Sequence, residues 1–401
     1  MGAILVLPVT VAGEQGPSAA LLSTAGWFNA CERVVGDSWL VTPDGLFDAS
    51  ELRKTASAPD LSPPQTRSLA RRLPPGLKTL AKDVRQIVRR SSFRVDVAGP
   101  WASEKVDFVW QRHVLFQSGG VDLAERLRVP SVLFAPATVI WEARRWGVKR
   151  RLTGSMLERL GEAPSLRRAD VVACGSEEVA EQAIRIGADP AKVLLTPTGT
   201  DFSWADHAAD GGEVRRSLGL GDGFVLGWVG SFRPFHAVHR LVEAVAGLDG
   251  VTLLLVGDGP ERAMVETRVR ELGVRAVFTG TVEHGELAGF LAAMDAAAVV
   301  APDDGLFHYS PLKLAEYLTS RLAVVAPDVT TISSRLVHDE HLLLVPPTDR
   351  AALARAIRRL RDDPVMRSKL GEAGRAEVRE RWSWDEQVRA VTQRLNETVR
   401  R

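Results

Sequence analysis

Short, wholly apolar runs alternate with stretches of helical periodicity along nearly all of this chain. In the first half the runs predict strands at Ala3–Leu7, Trp39–Thr42, Val106–Trp110, Ser131–Phe134, Val171–Ala173 and Val193–Leu195. In the second half they predict strands at Phe224–Val229, Val251–Val256, Ala276–Phe278, Ala296–Val300, Ala323–Val325 and Leu342–Val345. The runs do not alternate with polar residues, which is the pattern of parallel strands covered on both faces. Between them lie amphipathic segments such as Val238–Leu248, where Val238, Leu241, Val242 and Val245 form one stripe. Strand–helix alternation on this scale predicts an α/β chain with doubly wound parallel sheets.

A length of 401 residues exceeds one comfortable core and points to two domains. The polar stretch Asp206–Gly212 reads as the linker between them, and Pro59–Pro75 as an irregular insertion. With 51 basic against 50 acidic residues, the charge balance gives no reason to expect a nucleic-acid partner. Cys31 and Cys174 cannot form a disulfide framework, so a reducing cytoplasm is the expected setting. The opening residues lack a basic leader region and read as a strand rather than a signal peptide. No apolar run approaches the length that spans a bilayer.

The most unusual chemistry lies in Ser310-Pro311-Leu312-Lys313-Leu314-Ala315-Glu316-Tyr317. Ser310 is a good N-cap and Pro311 suits the first helical position, so a helix is predicted to start here. Lys313 then falls in the first turn, against the positive end of the helix dipole, a mismatch of roughly 0.3–1 kcal/mol at an exposed site. Either this lysine is simply solvated, or an anion sits over the helix end. Glu316 lies one turn further along the same face, and a cation for phosphate beside a carboxylate for hydroxyls suits a nucleotide sugar.

Ligands of open parallel sheets bind beyond the carboxyl ends of the strands. At those positions stand Gly230-Ser231-Phe232-Arg233-Pro234-Phe235-His236, Gly257-Asp258-Gly259-Pro260 and Thr279-Gly280-Thr281. A fourth turn, Ala301-Pro302-Asp303-Asp304-Gly305-Leu306-Phe307-His308, leads into the Lys313 helix; Asp303 and Asp304 read as a polar turn. Glycines admit a ligand to the backbone, and Arg233, His236 and Lys313 supply positive or hydrogen-bonding groups. The dinucleotide fingerprint fails for want of its third glycine, and no lysine follows a glycine as a P-loop requires. Gly16-Pro17-Ser18-Ala19-Ala20 lacks the second glycine of a nucleophile elbow. The pairs His236/His239 and His338/His341 each lack the third partner a zinc site needs.

Taken in order, these segments resemble the nucleotide-sugar domain of the retaining family 4, or group 1, glycosyltransferases. The resemblance rests on Gly227–His236, Gly257–Pro260, Phe278–Gly280, Ser310–Tyr317, Ala323–Pro327, Leu344-Val345-Pro346-Pro347 and Arg381-Trp382-Ser383-Trp384. Upstream, Ala169–Glu178 and Thr196–Asp201 are similar to the end of the family's first domain, so it covers nearly the whole chain. It implies the GT-B fold, two facing Rossmann-like domains, here 1–205 with 379–401 crossing back, and 206–378. It also implies transfer of a sugar, with retention, from a nucleoside-diphosphate donor to an acceptor hydroxyl, with no metal or other cofactor. Glu316 matches the glutamate that holds the ribose, and Gly230 and Ser231 the loop against the diphosphate. The implied donor site also takes in Phe232, His236, Gly257, Asp258, Gly259, Gly280, Thr281, His308, Tyr309, Ser310, Pro311 and Leu312. The chain departs from the family pattern in three places: Ser231 replaces the usual arginine, His236 the usual lysine and His308 the first motif glutamate. Arg233 and Lys313 read as replacements for the missing charges, as in the family's Ser-Pro-Leu-Lys variant.

The acceptor, whether a sugar, a lipid-linked glycan or a small molecule, is expected on the first domain. Gly13-Glu14-Gln15-Gly16 follow the first strand, with Ser18 capping the next helix, and the resemblance across Val129–Glu142 implies contacts at Arg112, His113 and Glu142. His113 joins Arg233, Lys313 and Glu316 as an expected catalytic residue. Trp141 and Trp146, flanking Arg144 and Arg145, suit either a sugar ring or core packing. The basic stretch 67–94 has an apolar stripe that suits either its own domain or a peripheral contact with an anionic membrane. Competing readings are a GT-B epimerase or phosphorylase, and a non-catalytic nucleotide-sugar-binding partner motivated by His308.

Overall fold

In a computed structural model, the chain is described at residues 2–9, 11, 19–52, 93–145, 148, 150, 153–197, 199–200, 202, 210–283, 285–302 and 312–399. It divides into two compact units, Met1–Thr198 with Trp384–Arg401, and Gly199–Ser383. The expected borders were 205/206 and 378/379. The last residues of the stretch Asp206–Gly212, read as linker, begin a helix, because Asp210 is an N-cap. Its carboxylate accepts from Gly212 N at 2.9 Å and starts a helix over Gly211–Ser217. Gly211 serves close packing there, since a Cβ would lie 2.2 Å from Ala292 O.

The first unit holds a seven-stranded sheet in the order β3-β2-β1-β4-β5-β6-β7. Its strands are β1 (Gly2–Val6), β2 (Asp37–Thr42), β3 (Gly45–Phe47), β4 (Phe108–Arg112), β5 (Ser131–Ala135), β6 (Val171–Cys174) and β7 (Val193–Leu195). All neighbours are parallel except β2 and β3. That hairpin was not expected, although Pro43-Asp44-Gly45 carries its signal: Gly45 sits at φ +126°, where only glycine is comfortable. The helices used below are α1 (Ala19–Val34), α2 (Gly119–Leu127), α3 (Val139–Arg145) and α4 (Glu177–Ile186).

The second unit has six strands in the order β10-β9-β8-β11-β12-β13, all parallel. They are β8 (Phe224–Val229), β9 (Val251–Val256), β10 (Ala276–Gly280), β11 (Ala296–Ala298), β12 (Ala323–Pro327) and β13 (Leu343–Val345). Their partners include α5 (Val238–Val245), α6 (Arg262–Glu271), α7 (Leu312–Thr319), α8 (Arg350–Asp362) and α9 (Pro364–Arg381). The apolar runs thus lie close to where the pattern placed the strands, and β9 is buried at every position. Val238, Leu241, Val242 and Val245 of α5 are buried together, as their stripe required. Among the described residues no helix is long and apolar enough to cross a membrane.

The last helix, α10 (Trp384–Val399), belongs to the first unit. It is held by an aromatic cluster in which Trp27 lies 5.7 Å from Trp110, 5.4 Å from Phe134 and 5.9 Å from Trp384, centroid to centroid. Gly26 is what lets the Trp384 indole reach α1, because a Cβ there would lie 2.2 Å from its Nε1. Gly26→Ala is therefore expected to destabilise the first unit by about 1–3 kcal/mol, the usual cost of overpacking a core. A thermal melt followed by circular dichroism would read this as a lowered midpoint, and an unchanged midpoint would contradict the packing described.

Candidate functional site

In the second sheet the strand order reverses between β8 and β11, and the crevice beyond their carboxyl ends is the natural ligand position of such a sheet. At the end of β8, Val229 N donates to the hydroxyl of Tyr317 at 2.7 Å, and Gly230 N donates to Val256 O at 2.9 Å. The chain then turns through exposed Ser231 to Phe232, which is buried despite a φ of +38°. Its ring packs edge-on against Trp228 at 4.8 Å, and this packing holds the disfavoured backbone in place. Arg233 stays exposed, and a 3-10 turn over Pro234–His236 leads into α5.

The second glycine turn lies directly against the first. A Cβ at Gly257 would be 2.0 Å from Gly230 O, and one at Gly259 would be 1.8 Å from Ser231 O. Both have positive φ, +119° and +158°, and Gly280, whose carbonyl accepts from Gly257 N at 2.9 Å, has +76°. Three turns therefore meet backbone to backbone, at distances that leave no room for a side chain between them. Asp258 is turned to its own element: it accepts from Gly259 N at 2.7 Å and pairs with Arg262 at 2.9 Å. Thr281 is exposed beyond Gly280.

Helix α7 brings Lys313 and Glu316 to this place. The Lys313 ammonium lies 4.5 Å from the centre of the Trp228 ring, and a Cβ on Gly230 would be 2.9 Å from that ammonium. Burial pushes the pKa of Lys313 down from 10.5 to about 7, with Glu316 opposing the shift. Burial pushes Glu316 up from 4.5 to about 7, with Lys313 opposing. Tyr317 is fully buried, and burial raises its phenol well above the ordinary range.

The remaining expected residues divide into three groups. His308, Tyr309, Ser310 and Pro311, together with Gly13, Glu14, Gln15, Gly16 and Ser18, lie outside the described residues, as do Asp303, Asp304, Trp146 and residues 67–92. Leu312 opens the described part of α7, and His236 packs on Trp228 at 5.5 Å and on Phe235 at 4.3 Å. His113 needs correction as a catalytic residue. Its side chain is wholly enclosed, with Nε2 2.9 Å from Glu162, whose carboxylate also accepts from Val139 N at 2.7 Å and Ile140 N at 3.1 Å. That cluster closes the N-terminus of α3. Arg112 is the last residue of β4 and donates to Ser23 Oγ at 2.8 Å, while Glu142 sits partly buried in α3. The Trp141 ring is covered by the Arg145 guanidinium at 4.9 Å, so that face is occupied.

Two functional features escaped the sequence reading. Trp228 under Lys313 carried no signal beyond a strand-end aromatic, and Tyr317 showed only its spacing from Lys313. Arg240 of α5 is also buried, donating to Ala301 O at 2.7 Å and Pro347 O at 2.8 Å, and so ties the segment just after β11 to the segment after β13. Among the described residues no group of three or more histidine, cysteine or acidic side chains is placed to hold a metal. His338 and His341 instead accept from Leu344 N at 2.9 Å and Val337 N at 3.1 Å.

Residues 223–363 match the family described as glycosyl transferases group 1. The chain is 33% identical over 162 residues to the lipopolysaccharide core biosynthesis glycosyltransferase LpsD of Rhizobium meliloti, covering 40% of this chain and 46% of that one. It is 31% identical over 278 residues to the D-inositol 3-phosphate glycosyltransferase of Actinosynnema mirum, covering 58% and 64% respectively. It thus spans about half to just under two thirds of the length of these relatives. In fold it is similar to HepE of Anabaena, crystallised with UDP, with a TM-score of 0.67 at 17% identity over 99% of this chain and 100% of that one. Sucrose-phosphate synthase from Thermosynechococcus elongatus gives 0.66 at 21% identity over 99% of each chain. The fold is GT-B, built from two Rossmann-like domains.

The glycine contacts make a direct test. Gly257→Ala places a methyl against the Gly230 carbonyl in a backbone conformation alanine resists, so a loss of about 1–3 kcal/mol of stability is expected. Chemical denaturation should show it as a lower midpoint, whereas an unshifted midpoint would mean that the two turns are not in contact.

Proposed function

We propose that the chain is a glycosyltransferase that takes a nucleoside-diphosphate sugar as donor and passes the sugar, with retention, to an acceptor hydroxyl. The observation that carries this reading is the meeting of Lys313 and Glu316 with three glycine turns at the sheet's switch point. A diphosphate over the Gly230–Ser231 turn meets the Lys313 ammonium, with Arg233 on the exposed side of the same turn. Glu316 is the acceptor for the ribose hydroxyls. As the bond to the leaving phosphate breaks, negative charge grows where Lys313 and Arg233 stand, which lowers the barrier without a resident metal or cofactor in this reading.

The similar structures favour uridine as the first base to try, since HepE is held with UDP in one crystal and with UDP-glucose in another. Relatives differ in the acceptor they are named for, among them lipopolysaccharide core and 2-deoxystreptamine, so the acceptor class here is a sugar or sugar-like hydroxyl. Loss of the first motif glutamate at His308 belongs to the Ser-Pro-Leu-Lys variant in this reading. A cytoplasmic setting, with a peripheral contact to anionic lipid through residues 67–94, rests on the sequence alone.

Two results are expected. In a thermal-shift screen of UDP, GDP, ADP and dTDP, at least one nucleotide raises the midpoint, because a ligand bound only to the folded state stabilises it. Lys313→Ala and Glu316→Ala should each weaken that nucleotide about tenfold or more while leaving the fold intact; unchanged affinity in both would remove the assignment. An epimerase would instead consume donor with no acceptor present.

The second concerns pH. Lys313 holds its proton only below about 7 in the free protein, and a bound diphosphate favours the protonated form. Affinity is therefore greatest near pH 7 and falls as pH rises, by up to about tenfold per unit, once the terminal phosphate is fully ionised above its last pKa of about 6. Calorimetry at pH 7 and 8.5 checks this, and Lys313→Arg, always charged, should flatten the dependence.

A further inference from the structure

A cation that binds phosphate must be held still without having its charge cancelled or its donors consumed. Lys313 meets that condition in an unusual way. Among the described residues its ammonium has no carboxylate within ion-pair distance, and it rests over the Trp228 ring at 4.5 Å. A ring face attracts the charge and uses none of the three N–H donors, so all three stay available to phosphate oxygens.

The ring is itself locked. Trp228 is 1% exposed, with Phe232 packed edge-on at 4.8 Å and His236 at 5.5 Å. Gly230 provides the space between ring and ammonium, since a Cβ there would stand 2.8 Å from the indole and 2.9 Å from Nζ. One helical turn after Lys313, Tyr317 fastens α7 to Val229 at 2.7 Å, beside Trp228 in the chain. Ring and ammonium are thus positioned by adjacent residues of one strand end.

We propose that Trp228 is a positioning residue for donor binding: its indole face seats the Lys313 ammonium at the point where the nucleotide's diphosphate lands. This rests on the reading of the crevice as a nucleoside-diphosphate site. It assigns a functional reason to an aromatic at the end of β8 that a packing role alone would not require to be tryptophan.

A double-mutant cycle with UDP as the probe tests this by calorimetry on the full chain. Trp228→Leu is expected to weaken UDP about tenfold when Lys313 is present, and by less than about twofold in a Lys313→Met background, whereas Trp228→Phe keeps a ring face and stays within about threefold of wild type. Equal losses in both backgrounds would overturn the proposal, because the indole would then act through packing alone. If Trp228→Leu fails to fold, the same cycle with Trp228→Phe decides: a two- to threefold loss that vanishes in Lys313→Met supports the proposal, and an additive loss overturns it. Should wild type bind UDP while Lys313→Met leaves affinity unchanged, the crevice still takes nucleotide but this proposal fails. Should wild type bind none of the four nucleoside diphosphates, the reading of the crevice fails and this proposal with it.

Discussion

The ladder between β8 and β11 reaches only as far as Gly227, two residues short of the end of β8. The amide of Val229 therefore has no strand partner on that side, and it donates to the Tyr317 hydroxyl at 2.7 Å. A buried amide left without a partner would cost about 1–3 kcal/mol. The helix that follows β11 is thereby fastened to the end of the neighbouring strand at the point where the sheet changes direction. The two charged residues of that helix are positioned with it. Lys313, four residues before Tyr317, comes to rest over Trp228, and Glu316 stands on the same turn of the helix.

Such a placement is costly in the empty protein. Burial lowers the pKa of Lys313 and raises that of Glu316, so it disfavours the charged form of each. A hydrophobic pair would make a more stable helix–sheet contact. The unfavourable term has a use if an anion is to be bound, because the ligand's charge offsets what burial removed, and the stabilisation appears on binding rather than on folding. The glycines follow the same logic. Positive φ at Gly257, Gly259 and Gly280, and the close approach of Gly257 and Gly259 to the turn at Gly230–Ser231, admit backbone contacts that no side chain would allow.

Most of this architecture was legible because parallel strands buried on both faces leave continuous apolar runs, and β9 is the plainest case. The glycine turns were legible for a related reason: each ends such a run. What could not be seen was which side chains meet across elements. Trp228 and Lys313 are far apart in sequence, and nothing in either segment announces a cation over a ring. His113 misled for the opposite reason. It follows a strand end, where a substrate contact is reasonable, but Glu162 from a distant helical segment encloses it. Asp210 to Gly212 read as linker because caps and linkers share the same residues, aspartate and glycine. The β2–β3 hairpin was overlooked since its second strand, Gly45–Phe47, is too short to show a pattern.

The first sheet offers a control on the argument, because it has the same reversal of strand order, between β1 and β4. The helix after β4 is α2, the counterpart of α7 after β11. There the N-terminal amides already have a partner. Gln111, itself fully buried, accepts from Gly120 N at 2.6 Å and Val121 N at 3.3 Å, and its own amide donates to Gln117 O at 2.8 Å. A neutral side chain of the protein thus fills the place an anion would take at this helix end. In the second unit the corresponding helix carries a lysine in its first described turn with no described carboxylate paired to it. Shared topology therefore does not imply shared chemistry. Among the described residues, the first switch point closes on a buried glutamine, whereas the second sets a lysine over a tryptophan ring.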